Sequence, residues 1–161
     1  MTNTEQPRSP RSLAIRLDII KIVTQSPFPA ELAPVSDALT HDVRVEVLSR
    51  HSAEHSRPTQ SEWVFQYTVR ITNQGTETVQ LVSRHWIITD ATGEVREVEG
   101  PGVVGQQPML RPGESFKYSS WCPLKTPMGM MHGTYQMVNS NGSRFDAEIA
   151  PFALRAPQTV H

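Results

Sequence analysis

The sequence contains little of what several common protein classes require. Its single cysteine, Cys122, excludes an intrachain disulfide, so we expect a small buried residue there and a reducing, cytoplasmic setting. No apolar run approaches the roughly 20 residues that span a bilayer, and no membrane association is predicted. A formal net charge of −1 over 161 residues provides no basic field for a phosphate backbone, which makes nucleic acid an unlikely ligand. This length predicts one folded domain.

From Asp42 onward, apolar and polar residues alternate in short runs that are typical of half-buried strands. The clearest run, residues 63–71, places five apolar side chains on one face: Trp63, Phe65, Tyr67, Val69 and Ile71. Between the runs, Pro112-Gly113 fits a type II turn and Asn141-Gly142 predicts a tight hairpin. About seven such strands predict an all-β fold, an antiparallel β-sandwich of immunoglobulin or fibronectin type III-like architecture, with a barrel as the alternative.

Residues 1–41 differ in character from the rest of the chain. Five prolines punctuate them, at positions 7, 10, 27, 29 and 34, so we predict an N-terminal extension with little regular structure and a domain that covers residues 42–161. The exception is Leu13–Val23, whose apolar residues alternate as in a strand although its length suits a short helix. This segment either packs on the edge of the domain or serves as a docking peptide for a partner.

The segment Gly100-Pro101-Gly102-Val103-Val104-Gly105 has the G-x-G-x-x-G spacing that nucleotide-binding loops share. A dinucleotide site needs a helix to start at the third glycine, and Pro108 and Pro112 exclude one. Two interpretations remain. The loop is either a nest of amides that holds an anion, with Arg84 and His85 as helpers, or a tight crossing between strands that requires glycine.

Two further segments carry candidate binding residues. The first, His51-Ser52-Ala53-Glu54-His55, spells the H-x-x-E-H pattern of one zinc peptidase class, but it lies in a predicted polar loop, residues 51–61, without a third ligand. Coincidence or weak capture of a divalent ion by its two histidines explains it, and no cofactor is predicted. The second is a predicted loop, residues 123–133, in which Thr126, Met128, Met130 and Met131 suit either adaptable partner contacts or filling of the core.

Three stretches together resemble the ApaG (DUF525) domain family over residues 42–161. They are Val79-Gln80-Leu81-Val82-Ser83-Arg84-His85-Trp86-Ile87-Ile88-Thr89-Asp90, the glycine segment through Gln107-Pro108, and Pro112-Gly113-Glu114-Ser115-Phe116 running on to Gly133-x-Tyr135-x-Met137. The resemblance implies a fibronectin-like sandwich. It also implies bacterial relatives that are linked to cobalt and magnesium homeostasis and encoded beside a diadenosine tetraphosphate hydrolase. Related domains in certain F-box proteins look like partner-binding modules.

These observations favour a non-catalytic module that binds an unidentified protein partner, because the sequence contains no recognisable catalytic spacing. The expected surface is the glycine segment with Arg84, His85 and the loop from Thr126 to Gly133. The alternative is a sensor that binds a pyrophosphate-containing nucleotide or another anion at Gly100–Gly105.

Overall fold

The computed structural model describes residue 28 and residues 32–158. This part of the chain forms nine strands and one short 3₁₀ helix, Pro58–Gln60. The strands are β1 (Ser36–Thr40), β2 (Val43–Arg57), β3 (Glu62–Asn73), β4 (Val79–Asp90), β5 (Val95–Pro101), β6 (Met109–Leu110), β7 (Ser115–Leu124), β8 (Met128–Asn139) and β9 (Arg144–Arg155). The predicted segment Leu13–Val23 lies outside the described residues.

The strands form two antiparallel sheets. The first has the order β1-β2-β3-β7, and the second has the order β5-β4-β8-β9, with the short β6 also paired to β4. The prediction of an all-β antiparallel sandwich is therefore confirmed. Two strands are present beyond the predicted seven. One is β1, which lies within the proline-punctuated residues 1–41 and pairs with β2; the other is the two-residue β6.

Alternation along the central strands builds the core. On β3, which lies between β2 and β7, Phe65, Tyr67, Val69 and Ile71 are all buried, as predicted, whereas Trp63 is only half-buried at the end of the sandwich. From the second sheet, Trp86 and Tyr135 pack against this layer, with the Tyr67 and Trp86 ring centroids 5.2 Å apart. Burying such side chains stabilises the fold by about 1.5–3 kcal/mol each in gross terms.

Both predicted loops, residues 51–61 and residues 123–133, are wrong in extent, because the strands continue through them. In place of the first loop, β2 runs on to Arg57, and its register with β3 shifts between Ser52 and Arg57. Similarly, β7 ends at Leu124 and β8 begins at Met128, which leaves a turn of residues 125–127 only. Exposed polar or flexible residues occupy the outer positions of these segments, so the hydrophobic alternation fades although the backbone pairing continues.

Both turn predictions agree with the structure. The amide of Glu114 donates to the carbonyl of Arg111 at 2.9 Å across Pro112-Gly113. The hairpin at Asn141-Gly142 joins β8 to β9 as expected.

Candidate functional site

The glycine segment forms a two-residue hairpin turn. Val103 and Gln106 exchange backbone hydrogen bonds of 2.8 Å in both directions. The residues between them, Val104 and Gly105, have φ values of +44° and +77°, which is the pattern of a type I′ turn. A valine in this left-handed region is strained, and the surrounding structure has to hold it there.

The turn inserts its apolar residues into the end of the core. Val103 is fully buried and Val104 nearly so. Gly102 is tightly enclosed: its amide donates to Val82 at 2.8 Å, and a Cβ at this position would lie 2.2 Å from the carbonyl oxygen of Gln106. Glycine is thus required here for close backbone approach, which is the structural interpretation of the motif. The amides of Gly102 and Val103 are committed to protein carbonyls and are not directed at an anion.

Arg84 lies over the start of this turn. Its guanidinium covers Gly100, where an added Cβ would meet Nη1 at 3.1 Å, and Nη1 donates to the carbonyls of Pro101 (3.1 Å) and Gly102 (2.9 Å). Among residues 32–158, no carboxylate comes within 4.0 Å of this guanidinium. Arg84 is therefore a half-buried cation whose recorded hydrogen bonds go to backbone carbonyls.

His85 points to the opposite face of β4. A register slip between Leu81 and Ser83 turns Arg84 inward, opposite the buried Tyr135, and turns His85 outward. Nε2 of His85 lies 3.4 Å from a carboxylate oxygen of Glu99 and 3.7 Å from one of Glu97, without hydrogen-bond geometry. The structure therefore separates the two helper residues that the sequence places next to each other.

The outer face of the second sheet carries an apolar row. Residues that pair directly across strands point to the same side of a sheet. One such row contains Val95, Thr89, Met130 and Ala153, on β5, β4, β8 and β9 respectively. Val95 and Met130 are exposed to 57% and 47%, and the neighbouring Met128 to 43%. We call Val95, Met128 and Met130 the apolar patch.

Acidic side chains follow the apolar patch along the same face. Glu97 and Glu99 project from β5, while Asp146 and Glu148 project from the far edge on β9. All four are exposed. The face therefore combines an apolar end with an acidic middle, a pattern that is invisible in the linear sequence because the four strands are far apart along the chain.

The remaining residues of the predicted methionine loop have structural positions. Met131 is buried in the core at 1% exposure, which excludes it from a partner surface and agrees with the alternative interpretation, filling of the core. Thr126 accepts a hydrogen bond from the Ala91 amide at 3.0 Å and donates to the Met128 carbonyl at 2.6 Å. It joins the β4–β5 turn to the β7–β8 turn.

The two histidines of the H-x-x-E-H pattern face different neighbours. Nε2 of His51 lies 3.0 Å from Ser56 Oγ, and its ring meets the edge of Phe65. Nδ1 of His55 lies 2.7 Å from the buried Ser52 hydroxyl, and its ring packs against Trp121 at 4.6 Å. Across the described residues, no group of three or more His, Cys, Asp or Glu side chains is arranged to hold a metal ion.

A buried tyrosine pair, which is not among the predicted site residues, joins the two sheets. The hydroxyls of Tyr118 on β7 and Tyr135 on β8 hydrogen-bond to each other inside the core. Burial, and after it the neighbouring Tyr135, raises the pKa of Tyr118 well above 10.0. Burial likewise raises the pKa of Tyr135. The sequence signal that was available for this pair is the position of Tyr118 and Tyr135 on the inward faces of two predicted strands.

Cys122 is buried, as predicted, with its sulfur 3.8 Å from Arg96 Nη2.

None of the helices in the described part of the chain is long and apolar enough to cross a membrane.

The fold defines an antiparallel β-sandwich domain whose glycine turn closes one end of the core. The sequence profile of the ApaG domain matches residues 53–139. The chain belongs to the ApaG family.

Curated relatives and solved structures agree with this assignment. The chain is 54% identical over 121 residues to Protein ApaG of Bordetella pertussis, covering 75% of this chain and 92% of the relative. It is also 54% identical over 127 residues to Protein ApaG of Anaeromyxobacter dehalogenans strain 2CP-C, covering 79% of this chain and all of that protein. The crystal structure of the putative ApaA protein from Bordetella pertussis superposes with a TM-score of 0.71 at 53% identity, over 76% of this chain and 99% of that one.

Proposed function

We propose that this member of the ApaG family is a non-catalytic module that binds a protein partner through the outer face of its second sheet. The observation that carries the proposal is the apolar patch: the exposed Val95 on β5 and Met130 on β8 lie on either side of Thr89, and the exposed Met128 is two residues from Met130 along β8. Exposed apolar side chains that cluster on one face mark interaction sites more often than scattered ones do. Methionine adapts its shape to a partner at low cost.

The charges on the same face favour one class of partner. Four exposed carboxylates, those of Glu97, Glu99, Asp146 and Glu148, lie beyond the apolar patch. A complementary partner presents apolar anchors followed by Lys or Arg side chains. The link to cobalt and magnesium homeostasis that the family resemblance implies would then act through this partner, since the two predicted metal-binding histidines already contact Ser56 and Ser52.

Replacing Met130 by aspartate is expected to abolish partner binding while leaving the fold intact. The side chain is exposed to 47%, so the change removes an anchor and adds a like charge to an acidic face without opening a cavity. The measurement is affinity capture from the lysate of the native host, with quantification of every retained protein by mass spectrometry.

Met109→Asp is the matched control, because Met109 is exposed to 64% and lies on β6, away from the apolar patch. The proposal expects this variant to retain the same proteins as the unmodified chain. Equal retention by the Met130 variant would remove the outer face of the second sheet as the binding surface.

The half-buried Arg84 favours a second candidate function, anion binding beside the glycine turn. Its guanidinium has no carboxylate within 4.0 Å in the described residues. In the adjacent turn, within the same part of the chain, the amides of Val104 and Gly105 donate to no backbone carbonyl. This candidate function places a pyrophosphate group against the Arg84 guanidinium and these two amides. Because the amides of Gly102 and Val103 already donate to backbone carbonyls, a bound anion would receive fewer hydrogen bonds here than in a phosphate-binding loop.

The test of this second candidate is calorimetric titration with pyrophosphate and diadenosine tetraphosphate. Arg84→Gln is expected to weaken binding about tenfold or more, because it removes a charge-assisted hydrogen-bond donor. Arg96→Gln is the control, since Arg96 also donates to a backbone carbonyl, that of Pro123 at 3.0 Å. Gly102→Asp is unsuitable as a probe because its Cβ clashes with backbone. Identical affinities in both arginine variants would exclude this site.

A further inference from the structure

The strand β5 is an open edge of the second sheet. It pairs with β4 on one side, and on its other side it pairs with no strand of the described residues. The far edge of the same sheet, at β9, is different. There the hydroxyl of Ser36 donates to the Ala150 carbonyl at 2.6 Å, and the hydroxyl of Thr40 accepts from the Glu148 amide at 3.1 Å. Side chains of β1 therefore cover the edge at β9, whereas the edge at β5 is exposed and is a template for another strand.

The register between β4 and β5 shows which backbone groups of β5 face this open side. In an antiparallel pair, residues that bond to the neighbouring strand alternate with residues whose amide and carbonyl point away from it. Two hydrogen bonds at the ends of the pair fix the alternation: the Asp90 amide to the Glu94 carbonyl (3.0 Å) and the Gly102 amide to the Val82 carbonyl (2.8 Å). The even-numbered residues of β5 thus bond to β4, and the amides and carbonyls of Val95, Glu97 and Glu99 point to the open side.

The side chains of the same three residues lie on the outer face of the second sheet. Glu97 and Glu99 are exposed to 61% and 70% in their side chains, and Val95, at 57%, belongs to the apolar patch. Within residues 32–158 no Lys or Arg side chain comes within 4.0 Å of either carboxylate, and the neighbour recorded for both is Nε2 of His85. The open side of β5 therefore offers three backbone donors and three acceptors beside one apolar and two acidic side chains.

We propose that β5 binds an extended segment of the partner by strand addition, and that this segment carries lysine or arginine at two alternate positions followed by an apolar residue. The segment runs antiparallel to β5, as the strand pairs of both sheets do. Directly opposite residues share a face, so the basic side chains lie beside Glu99 and Glu97 and the apolar one beside Val95. The inference rests on the proposed function, because the added strand extends the outer face that carries the apolar patch.

The charges on β5 argue against a second copy of this chain as the occupant. Two β5 strands related by a two-fold axis at Glu97 would place this carboxylate opposite its own copy. An axis at Val98 would place Glu97 opposite Glu99, and an axis at Arg96 would place two arginines opposite each other. Like charges directly opposite destabilise a sheet. The same carboxylates thus oppose self-association and select a basic strand.

The test is an NMR titration of the isotope-labelled full chain with two capped synthetic peptides, TKTKTVT and TETETVT. They differ only in the charge of two side chains. We expect TKTKTVT to shift the amide signals of Val95, Glu97 and Glu99, because these amides gain hydrogen bonds, and to leave the bonded amides of Arg96 and Val98 less affected. TETETVT should shift none of them.

Glu97→Pro should weaken binding of TKTKTVT about tenfold or more, because it removes the central open-side donor. The bonds to β4 remain, since the amide of residue 97 does not take part in them. Lys117→Pro is the matched control on the open side of β7. The Asn73 amide donates to the Glu114 carbonyl at 3.0 Å, so the even-numbered residues of β7 bond to β3 and the Lys117 amide points away. This control should bind TKTKTVT as the unmodified chain does.

Glu97→Thr and Glu99→Thr keep the edge amides and remove one carboxylate each, so they test the charge without a proline in the strand. Each should weaken binding of TKTKTVT by about two- to fivefold. An absence of shifts on β5, equal binding of TETETVT, or unchanged binding in both threonine variants would overturn strand addition, as would equal loss in the two proline variants.

The capture experiment separates a failure of this inference from a failure of the proposed function. If the retained proteins are lost from Met130→Asp but kept by Glu97→Pro, the partner binds the outer face without adding a strand, and only the inference at β5 fails. If Met130→Asp retains them, the proposed function fails, and the peptide titration still decides whether β5 accepts a basic strand.

Discussion

Gly133→Ala is expected to lower the free energy of unfolding by about 3 kcal/mol or more. Gly133 lies on β8 directly opposite Trp86, where the two central strands of the second sheet meet. A Cβ at this position would lie 2.0 Å from the His85 carbonyl oxygen and 3.1 Å from the Trp86 Cα. Because both obstacles are backbone atoms, no side-chain rotation relieves the clash, and β4 and β8 have to separate. Urea unfolding followed by tryptophan fluorescence measures the effect.

Gly142→Ala separates this clash from the general cost of replacing glycine. Gly142 has a φ of +85° in the β8–β9 turn, and a Cβ there would meet nothing within 4 Å. Only the strain of a left-handed alanine remains, which costs about 1–2 kcal/mol. If Gly133→Ala lowers the free energy of unfolding by no more than Gly142→Ala does, β4 and β8 do not approach each other as closely as described.

The second large effect is expected at the tyrosine pair between the sheets. Either Tyr118→Phe or Tyr135→Phe leaves the other hydroxyl buried without this partner, which costs about 1–3 kcal/mol. The double variant removes both hydroxyls together. Its loss of stability should therefore be clearly smaller than the sum of the two single losses, whereas independent sites add within about 0.5 kcal/mol. Additivity in this double-mutant cycle would contradict the hydrogen bond.

The same pair makes stability depend on pH in the alkaline range. Burial raises both pKa values in the folded state well above 10.0, the ordinary value for an unfolded chain. The contribution of the two protonated tyrosines to the free energy of unfolding is complete below pH 10. It is lost as the pH rises from 10 toward the folded-state pKa values, because in that range the unfolded chain releases these protons and the folded protein does not. The slope is about 1.4 kcal/mol per pH unit for each tyrosine. Unfolding curves between pH 8 and 11 should show this decline, and the double phenylalanine variant should not.

Hydrophobic alternation in the sequence predicted those strands in which one face is buried and the other is exposed to solvent. The run from Phe65 to Ile71 on β3 has this pattern, and Pro112-Gly113 and Asn141-Gly142 have the turn chemistry that the structure uses. The pattern failed at β1 and at the ends of β2 and β8. There, pairing continues with residues such as Met128 and Met130 on an exposed face, so alternation no longer reports the strand.

The candidate sites were less predictable because they depend on register and on distant strands. A register slip of one residue before Ser83 reverses the directions of Arg84 and His85, and nothing in the local sequence marks it. The apolar patch joins Val95 to Met130 through Thr89 on a third strand. Only the order of strands in the sheets brings these residues together.

The central claim, that the outer face of the second sheet binds the partner, is tested most directly by the capture experiment with three chains. We expect the unmodified chain and Met109→Asp to retain the same proteins, Met130→Asp to lose them, and the retained proteins to protect amides of β5 and β8 from hydrogen exchange. Retention by the Met130→Asp chain, or protection confined to the first sheet, would contradict this account.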